Sequence, residues 1–207
     1  MAINITLFSD FICPFCYVGF ATLRKLKPEF DFTLRHRGYQ IHPEWPAEGM
    51  PAEQWKSGMS PEARQALWER IGAMGAAVGL EMKSPRILAN SMLALQAGEF
   101  AAEAGVAEAF EDRVFRAYFT DGLNIGKRDV VLDLGSEVGL DREALVEALD
   151  SGKYAMRIKY NAMSASQKGI DGVPTFLIGD WPLVGAQSED AMRRVLQRAS
   201  EVLGAAK

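Results

Sequence analysis

Two cysteines three residues apart, Cys13 and Cys16, most constrain the fold and chemistry of this chain. They are the only cysteines among its 207 residues. Residues 3–8, just before them, alternate apolar and polar side chains, which predicts a half-buried β-strand. Pro14 is typical of a first helical position, and the apolar residues after it recur at helical spacing. The pair therefore lies where a strand ends and a helix begins.

The rest of the pattern predicts an α/β fold interrupted by helices. A second strand is expected at residues 32–39, and strand, helix and strand in this order predict a right-handed βαβ unit with parallel strands. Residues 60–168 carry only helix signals, enough for four to six helices. Residues 175–178 and 182–184, joined by a Gly-Asp turn, then predict a hairpin, and a final helix is expected at residues 188–203.

The helical segment is too long to be a structureless loop in a compact domain. We therefore expect one α/β domain formed by residues 1–45 and 169–207, with an all-helical subdomain of residues 46–168 inserted into it. Helix caps are predicted at four residues with oxygen-bearing side chains: Ser60, Asn90, Asp129 and Asp141.

Composition and charge argue against several classes of function. The net charge is -4 and no block of like charge occurs, so the basic footprint of a nucleic-acid-binding protein is missing. No stretch approaches the roughly 18 consecutive apolar residues of a membrane span. The first residues also lack the basic and apolar regions of a signal peptide. We expect a cytoplasmic protein with no nucleic-acid or membrane partner.

The position of the two cysteines predicts a different role for each. The unpaired N–H groups and partial positive charge of a helix N-terminus stabilise a thiolate, so the pKa of Cys13 is expected to be lowered. Cys13 is then the nucleophile that attacks a disulfide, and Cys16, one turn further and less exposed, resolves the mixed disulfide. Two helical residues at this spacing hold their Cβ atoms slightly too far apart for a disulfide, so Cys13 must be the non-helical cap.

Two other interpretations of the pair stay open from the residues alone. A CxxC motif can be half of a zinc site, although the chain has no further cysteine and only two histidines, His36 and His42. The two thiols can also be inert core residues. A reducing cytosol favours a redox-active or metal-binding pair over a structural disulfide. Redox chemistry is the favoured hypothesis, with no metal site expected, and His42 is expected to be an exposed loop histidine.

Three stretches resemble the DsbA-like branch of the thioredoxin superfamily. They are "SDFICPFCYVG", "YFTDGLNIGKRDVVLDLGSEVGLD" and "GIDGVPTFLIGDWPLVGAQSED", and they are most similar to the FrnE-like cytoplasmic group of DsbA-family oxidoreductases. The resemblance implies a thioredoxin-like α/β fold with an inserted all-helical subdomain that covers the active-site groove. It also implies a cis Pro174 packed against the cysteines, where base rates alone favour an ordinary trans proline.

The same resemblance implies which residues form the site. The implied catalytic residues are Cys13, Cys16 and Pro174, and the implied substrate-binding residues are Pro14, Phe15, Val173 and Thr175. The Val173 backbone is expected to pair with an extended substrate, with affinity from main-chain hydrogen bonds. No tightly bound cofactor is expected, and glutathione is a candidate co-substrate.

The chain departs from its relatives at two places that bear on mechanism. Thioredoxins have a buried aspartate six residues before the first cysteine, where this chain has Leu7; Asp10 is expected to cap the turn rather than to act as a base. Strongly oxidising periplasmic relatives have a histidine where this chain has Phe15. Phenylalanine cannot donate a hydrogen bond to the thiolate, so we expect a less acidic Cys13 and a reduction potential of about -180 to -240 mV.

Thiol–disulfide exchange with disulfide-containing proteins, peptides or small molecules is the leading hypothesis of function. The first alternative is a glutathione-dependent isomerase or transferase, because 2-hydroxychromene-2-carboxylate isomerases and kappa-class glutathione transferases share a similar scaffold. Those relatives typically place a serine where Cys13 stands. The second alternative is a non-catalytic peptide-binding holdase. The sequence leaves the oligomeric state open.

Overall fold

Residues 2–56 and 58–205 are described by a computed structural model of the chain. The strands are β1 (Ile3–Ser9), β2 (Phe32–Gly38), β3 (Met50–Pro51), β4 (Ile87–Leu88), β5 (Thr175–Ile178) and β6 (Trp181–Val184). The helices are α1 (Pro14–Lys25), α2 (Pro61–Ala77), α3 (Met92–Glu103), α4 (Ala107–Phe119), α5 (Arg128–Glu137), α6 (Arg142–Asp150), α7 (Lys153–Gln167) and α8 (Glu189–Ala205). A short 3-10 helix, Ala52–Gln54, follows β3.

The central sheet has the strand order β2-β1-β5-β6. Strand β1 runs parallel to β2 and antiparallel to β5, and β5 pairs antiparallel with β6. Ile3, Ile5 and Leu7 of β1 are buried in the core, while Asn4 between them is exposed. This is the period-two alternation on which the strand prediction depends. The predicted βαβ unit and the C-terminal hairpin are both confirmed.

The helices cover the sheet and pack on one another. Helix α8 packs against β1 and α1, whereas α3 and α7 pack against β2. One cluster of buried apolar side chains joins the sheet and the helices, and it includes Phe20 of α1, Phe115 of α4 and Phe176 of β5. The division of the chain at residues 46 and 168 stays a prediction. No helix in residues 2–56 and 58–205 is long and apolar enough to cross a bilayer.

Two details of the segment between β2 and β5 differ from the sequence predictions. Ile87–Leu88 forms β4, which pairs antiparallel with Met50–Pro51, so this segment is not purely helical. Strands of two residues are too short to give a periodic signal. Asp129 is not a cap, because α5 begins at Arg128 with Lys127 in the capping position. Asp129 lies in the first turn, where its negative charge favours the positive end of the helix.

The other predicted caps lie at or next to helix starts. The side chains of Ser60 and Asp141 each accept a hydrogen bond from the backbone N–H three residues further on. Asn90 is one residue before the N-cap Ser91, and its side chain accepts a hydrogen bond from Met92 N–H at 3.0 Å. Side-chain oxygens at these positions therefore satisfy helix N–H groups as predicted, with a shift of one residue at Asn90.

Gly19 allows α1 to lie close to β5, which makes it sensitive to an added methyl group. A Cβ atom at Gly19 would be 2.9 Å from Phe176 Cζ and 3.5 Å from Pro174 Cγ, whereas one at Gly72 in α2 meets nothing within 4 Å. We expect Gly72→Ala to raise the free energy of unfolding by about 0.5–1 kcal/mol, since alanine is the better helix former. Overpacking should leave Gly19→Ala about 1–3 kcal/mol less stable than Gly72→Ala. Denaturant unfolding of both variants measures this difference, and equal stabilities would contradict it.

Candidate active site

The turn between β1 and α1 positions both cysteines. Cys13 N–H donates to Asp10 O at 3.1 Å, and Cys13 is the N-cap of α1 with extended φ and ψ of -88° and 115°. Pro14 occupies the first helical position, where its fixed φ suits the helix. Cys16 and Tyr17 N–H donate to Cys13 O at 3.0 and 3.3 Å. Cys13 therefore has the non-helical cap position that the disulfide geometry requires.

The two thiols have different surroundings. Both cysteines are free; Cys13 is 6% exposed and Cys16 is fully buried. A hydrogen bond from Cys16 is the main cause that holds the pKa of Cys13 below its ordinary value; burial opposes it, and the backbone of Cys16 and Phe15 supports it. Burial, followed by the hydrogen bond to Cys13 and its charge, raises the pKa of Cys16 well above its ordinary value. Cys13 is the thiol that ionises first.

The segment that leads into β5 lies beside Cys13. Cys13 Sγ is 3.8 Å from the Val173 carbonyl oxygen, the Val173–Pro174 peptide bond is cis, and Pro174 is buried. Thr175 is 1% exposed, and its hydroxyl donates to Gly172 O at 2.7 Å. The structure thus brings the Val173 backbone to the nucleophile. The Thr175 side chain faces the protein, so any part it takes in substrate binding is indirect.

Asp10 is buried between the cysteine turn and the loop after β2. Its two carboxylate oxygens accept hydrogen bonds from Ile12 N–H at 3.3 Å and from Ile41 N–H at 2.8 Å. These contacts confirm the capping role expected for Asp10. Burial raises the pKa of Asp10 to about 6, although the hydrogen bonds from Ile41 N–H and Ile12 N–H act to lower it. An ionised Asp10 in turn acts against thiolate formation at the nucleophile.

An apolar cavity of about 230 Å³ opens on Cys13. Pro14 and Phe15 line it beside the nucleophile, as expected for two of the implied substrate-binding residues. Its other walls come from the loop after β2, from α2, from the segment around β4 and from the end of α4; they include Ile41, Trp45, Leu67, Trp68, Leu88 and Phe119. Helices α2 and α4 therefore cover the cysteine turn, consistent with the cover that the resemblance implies.

His42, Trp45 and Trp55 form an aromatic cluster at this cavity. The His42 ring stacks on Trp45 with ring centroids 4.1 Å apart and planes 4° apart, and the Trp55 ring meets each of them edge-on at 5.6 Å. His42 Nδ1 lies 2.8 Å from Glu44 Oε1, and the His42 side chain is 27% exposed. The expectation of an exposed loop histidine is therefore wrong, because the tryptophans cover the ring.

Sequence reasoning missed this cavity. Its walls come from residues that lie far from the cysteines in sequence, such as Trp68 and Phe119, and local periodicity does not predict which helix faces reach the same place. One signal was available: three of the four tryptophans fall between residues 45 and 68. Tryptophan is a large side chain that ligand pockets often use.

The described residues hold no group of three or more His, Cys, Asp or Glu side chains that could bind a metal ion. The zinc interpretation of Cys13 and Cys16 therefore has no ligand set within residues 2–56 and 58–205.

Comparison with known proteins decides the family. The model of the DSBA-like thioredoxin domain matches residues 4–197. The chain belongs to this family. This chain is 29% identical over 201 residues to the uncharacterized protein YwbO of Bacillus subtilis (strain 168). The match covers 95% of this chain and 96% of YwbO. The solved structure of the probable DsbA oxidoreductase SCO1869 from Streptomyces coelicolor matches with a TM-score of 0.88 and 28% identity, covering 96% of this chain and 90% of that one.

Two more distant structures share the DSBA-like fold. A 2-hydroxychromene-2-carboxylate isomerase matches with a TM-score of 0.75 and 20% identity, covering 96% of this chain and 98% of that one. The cytosolic disulfide reductase DsbM from Pseudomonas aeruginosa, solved with GSH, matches with a TM-score of 0.70 and 21% identity. The match covers 96% of this chain and 99% of DsbM. At these identities the matches show the fold alone. The predicted thioredoxin-like fold of DsbA type is confirmed, and the FrnE-like subgroup stays a prediction.

Proposed function

We propose that this DSBA-like protein is a thiol–disulfide oxidoreductase that exchanges disulfides with proteins or small molecules through Cys13 and Cys16. The observation that carries the proposal is an N-capping Cys13 with a lowered pKa in front of a fully buried Cys16. The names of SCO1869, a probable DsbA oxidoreductase, and DsbM, a disulfide reductase, support the same chemistry.

The exchange proceeds in two steps. The Cys13 thiolate attacks one sulfur of the substrate disulfide, so a mixed disulfide forms and the other substrate sulfur leaves as a thiolate. Cys16 then loses its proton and attacks Cys13 Sγ, which breaks the mixed disulfide and releases the second substrate thiolate. The substrate gains two electrons and the protein is left with a Cys13–Cys16 disulfide. A thiol reductant restores the dithiol, and the reverse sequence oxidises a substrate.

The pKa values of the two thiols set the order of these steps. Besides burial, the hydrogen bond to Cys13 and its negative charge keep the pKa of Cys16 high. Both of these causes disappear when Cys13 becomes part of a mixed disulfide, because its sulfur is then neutral and bonded to the substrate. Cys16 therefore becomes easier to ionise at the step that needs its thiolate.

Glutathione is the reductant or co-substrate that we favour. DsbM, a cytosolic disulfide reductase, was solved with GSH, and this chain has the same fold. The Val173 backbone beside Cys13 suits an extended γ-glutamyl-cysteinyl chain as well as a polypeptide. In a reducing cytoplasm, where we place the protein, the dithiol form dominates and the protein works as a reductase or isomerase.

A glutathione-dependent isomerase is the second candidate function, because the fold is shared with 2-hydroxychromene-2-carboxylate isomerase. The paired cysteines favour redox chemistry over it, since glutathione activation by one group at position 13 gives no role to the buried Cys16.

Thiol counting tests the proposed function directly. Pre-reduced protein, freed of reductant, is mixed with excess glutathione disulfide, quenched with acid and analysed by mass spectrometry. We expect two thiols released per chain and an intramolecular disulfide between its two cysteines. Stable glutathione adducts on one or both cysteines, or no reaction, would contradict the two-cysteine mechanism.

A further inference from the structure

We infer that the cavity beside Cys13 binds one half of a small-molecule disulfide that carries an aromatic group and a carboxylate, with Arg64 binding the carboxylate. The inference rests on the proposed thiol–disulfide exchange and names the substrate class of the same site.

The size and lining of the cavity favour a single aromatic group. Its volume of about 230 Å³ is below the roughly 300–1,000 Å³ of pockets that enclose drug-sized ligands. Trp55, Trp68 and Phe119 line it, and aromatic rings prefer stacked or edge-on contacts with such side chains. One substituted ring suits a space of this volume.

The charge of the lining favours an anionic substituent. Arg64 of α2 lines the cavity and is half-buried, and no described carboxylate lies within ion-pair distance of it. None of the described lining residues is an aspartate or a glutamate. The other basic residue among the described lining residues, His42, is beside Glu44. A guanidinium next to apolar surface binds a carboxylate more strongly than one in open water, because solvent screens the pair less.

Because the protein has a negative net charge, binding of an anionic substrate depends on a local cation such as Arg64. At -4, the chain as a whole does not attract anions, so an anionic substrate needs a specific partner near the nucleophile. Among the described residues that line the cavity beside Cys13, Arg64 is the cation without an ion-pair partner. Arg70 lies on the same helix but is exposed and does not line the cavity, which makes it a matched control.

The site then works in the following way. Attack by the Cys13 thiolate bonds one half of the substrate to Cys13 Sγ, with its ring in the cavity and its carboxylate on Arg64. The other half leaves as a thiolate. Attack by Cys16, whose proton passes to solvent, releases the bound half as a second thiolate. The substrate has gained the two electrons that the dithiol has lost.

Two chromogenic disulfides test the assignment. Dithiobis(nitrobenzoate) has a carboxylate on each ring, and dithiodipyridine has neutral rings. Single-turnover rate constants of pre-reduced protein are measured with both, and their ratio removes differences in the reactivity of Cys13 itself. We expect Arg64→Gln to lower the carboxylate-to-neutral ratio by about 10- to 100-fold, as for a lost hydrogen bond between charged groups. Arg64→Lys should retain part of the preference, and Arg70→Gln should leave the ratio unchanged.

The outcomes separate this inference from the proposed function. An unchanged ratio in Arg64→Gln, with two thiols still released per chain, overturns the assignment of the cavity and leaves the exchange reaction standing. No Cys13-dependent thiol release from either disulfide overturns the proposed function itself. If Arg64→Gln slows a disulfide-bonded peptide as much as dithiobis(nitrobenzoate), the cavity serves polypeptides and the small-molecule class is wrong.

Discussion

Cys13→Ala is expected to abolish disulfide exchange, and Cys16→Ala is expected to stop the exchange at the mixed disulfide on Cys13. Without the Cys13 thiolate, none of the described residues that line the cavity is a nucleophile of lowered pKa, so the rate constant for the first step should fall by at least about 10³-fold. Without Cys16 the mixed disulfide on Cys13 has no resolving thiol. Single-turnover thiol release with mass spectrometry should then show one released thiol and one substrate adduct.

The two variants also separate the competing functions. Cys16 is fully buried, so its variant is first checked for native stability, and Cys16→Ser keeps a side chain of similar size at the position. Full turnover of a glutathione-dependent isomerisation in Cys16→Ala would contradict the two-cysteine mechanism and favour the isomerase. Protection of unfolded clients that survives the double variant would favour the holdase.

Asp10→Asn is expected to remove a pH dependence of stability of up to about 3 kcal/mol. The pKa of Asp10 is raised from 3.8 to about 6 by burial. The folded state therefore favours the protonated Asp10 carboxyl. The contribution of this carboxyl to the free energy of unfolding is fully present below pH 3.8 and is lost as the pH rises through about 6. The difference between the two pKa values, at about 1.36 kcal/mol per pH unit, gives this magnitude. Asparagine stays neutral throughout and lacks this dependence.

Denaturant unfolding at several pH values between 4 and 8 measures the effect. The stability of the protein relative to Asp10→Asn should fall as the pH rises across this window, and other titrating groups cancel in the comparison. A second measurement on the same variant is the rate of Cys13 alkylation against pH. Because the Asp10 charge raises the pKa of Cys13, that pKa should be lower in Asp10→Asn. If the free energies of unfolding of the two proteins changed in parallel with pH, this would contradict a raised pKa of the buried Asp10 carboxyl.

Local patterns predicted the parts of the fold that depend on local sequence. The alternation in residues 3–8 gave β1, and the Gly-Asp turn gave the β5–β6 hairpin. The same periodicity placed His36 on the apolar face of β2, but its partner could not be predicted. His36 Nδ1 lies 2.8 Å from Glu111 Oε1 of α4, and both side chains are buried. Such pairs depend on how distant elements pack, which the spacing of residues in one element does not contain.

The site was predictable to the extent that its chemistry is local. The spacing of Cys13 and Cys16 and the Pro14 signal gave the N-cap geometry that the structure shows. The position of Val173 beside Cys13 was implied by the family resemblance alone, because 160 residues separate them in sequence. The aromatic cavity was not predicted, since it needs α2, α4 and the loop after β2 to meet over the cysteine turn.

The equilibrium redox titration of Cys13 and Cys16 tests the central claim most directly. The protein is equilibrated in glutathione buffers of graded potential, quenched with acid, alkylated and analysed by mass spectrometry. We predict one two-electron transition between the dithiol and the Cys13–Cys16 disulfide, with a midpoint of about -180 to -240 mV because Phe15 offers the thiolate no hydrogen bond. A midpoint above about -150 mV would contradict the role given to Phe15. Two thiols that titrate independently as glutathione adducts, with no disulfide between them, would contradict the claim that they form one redox centre.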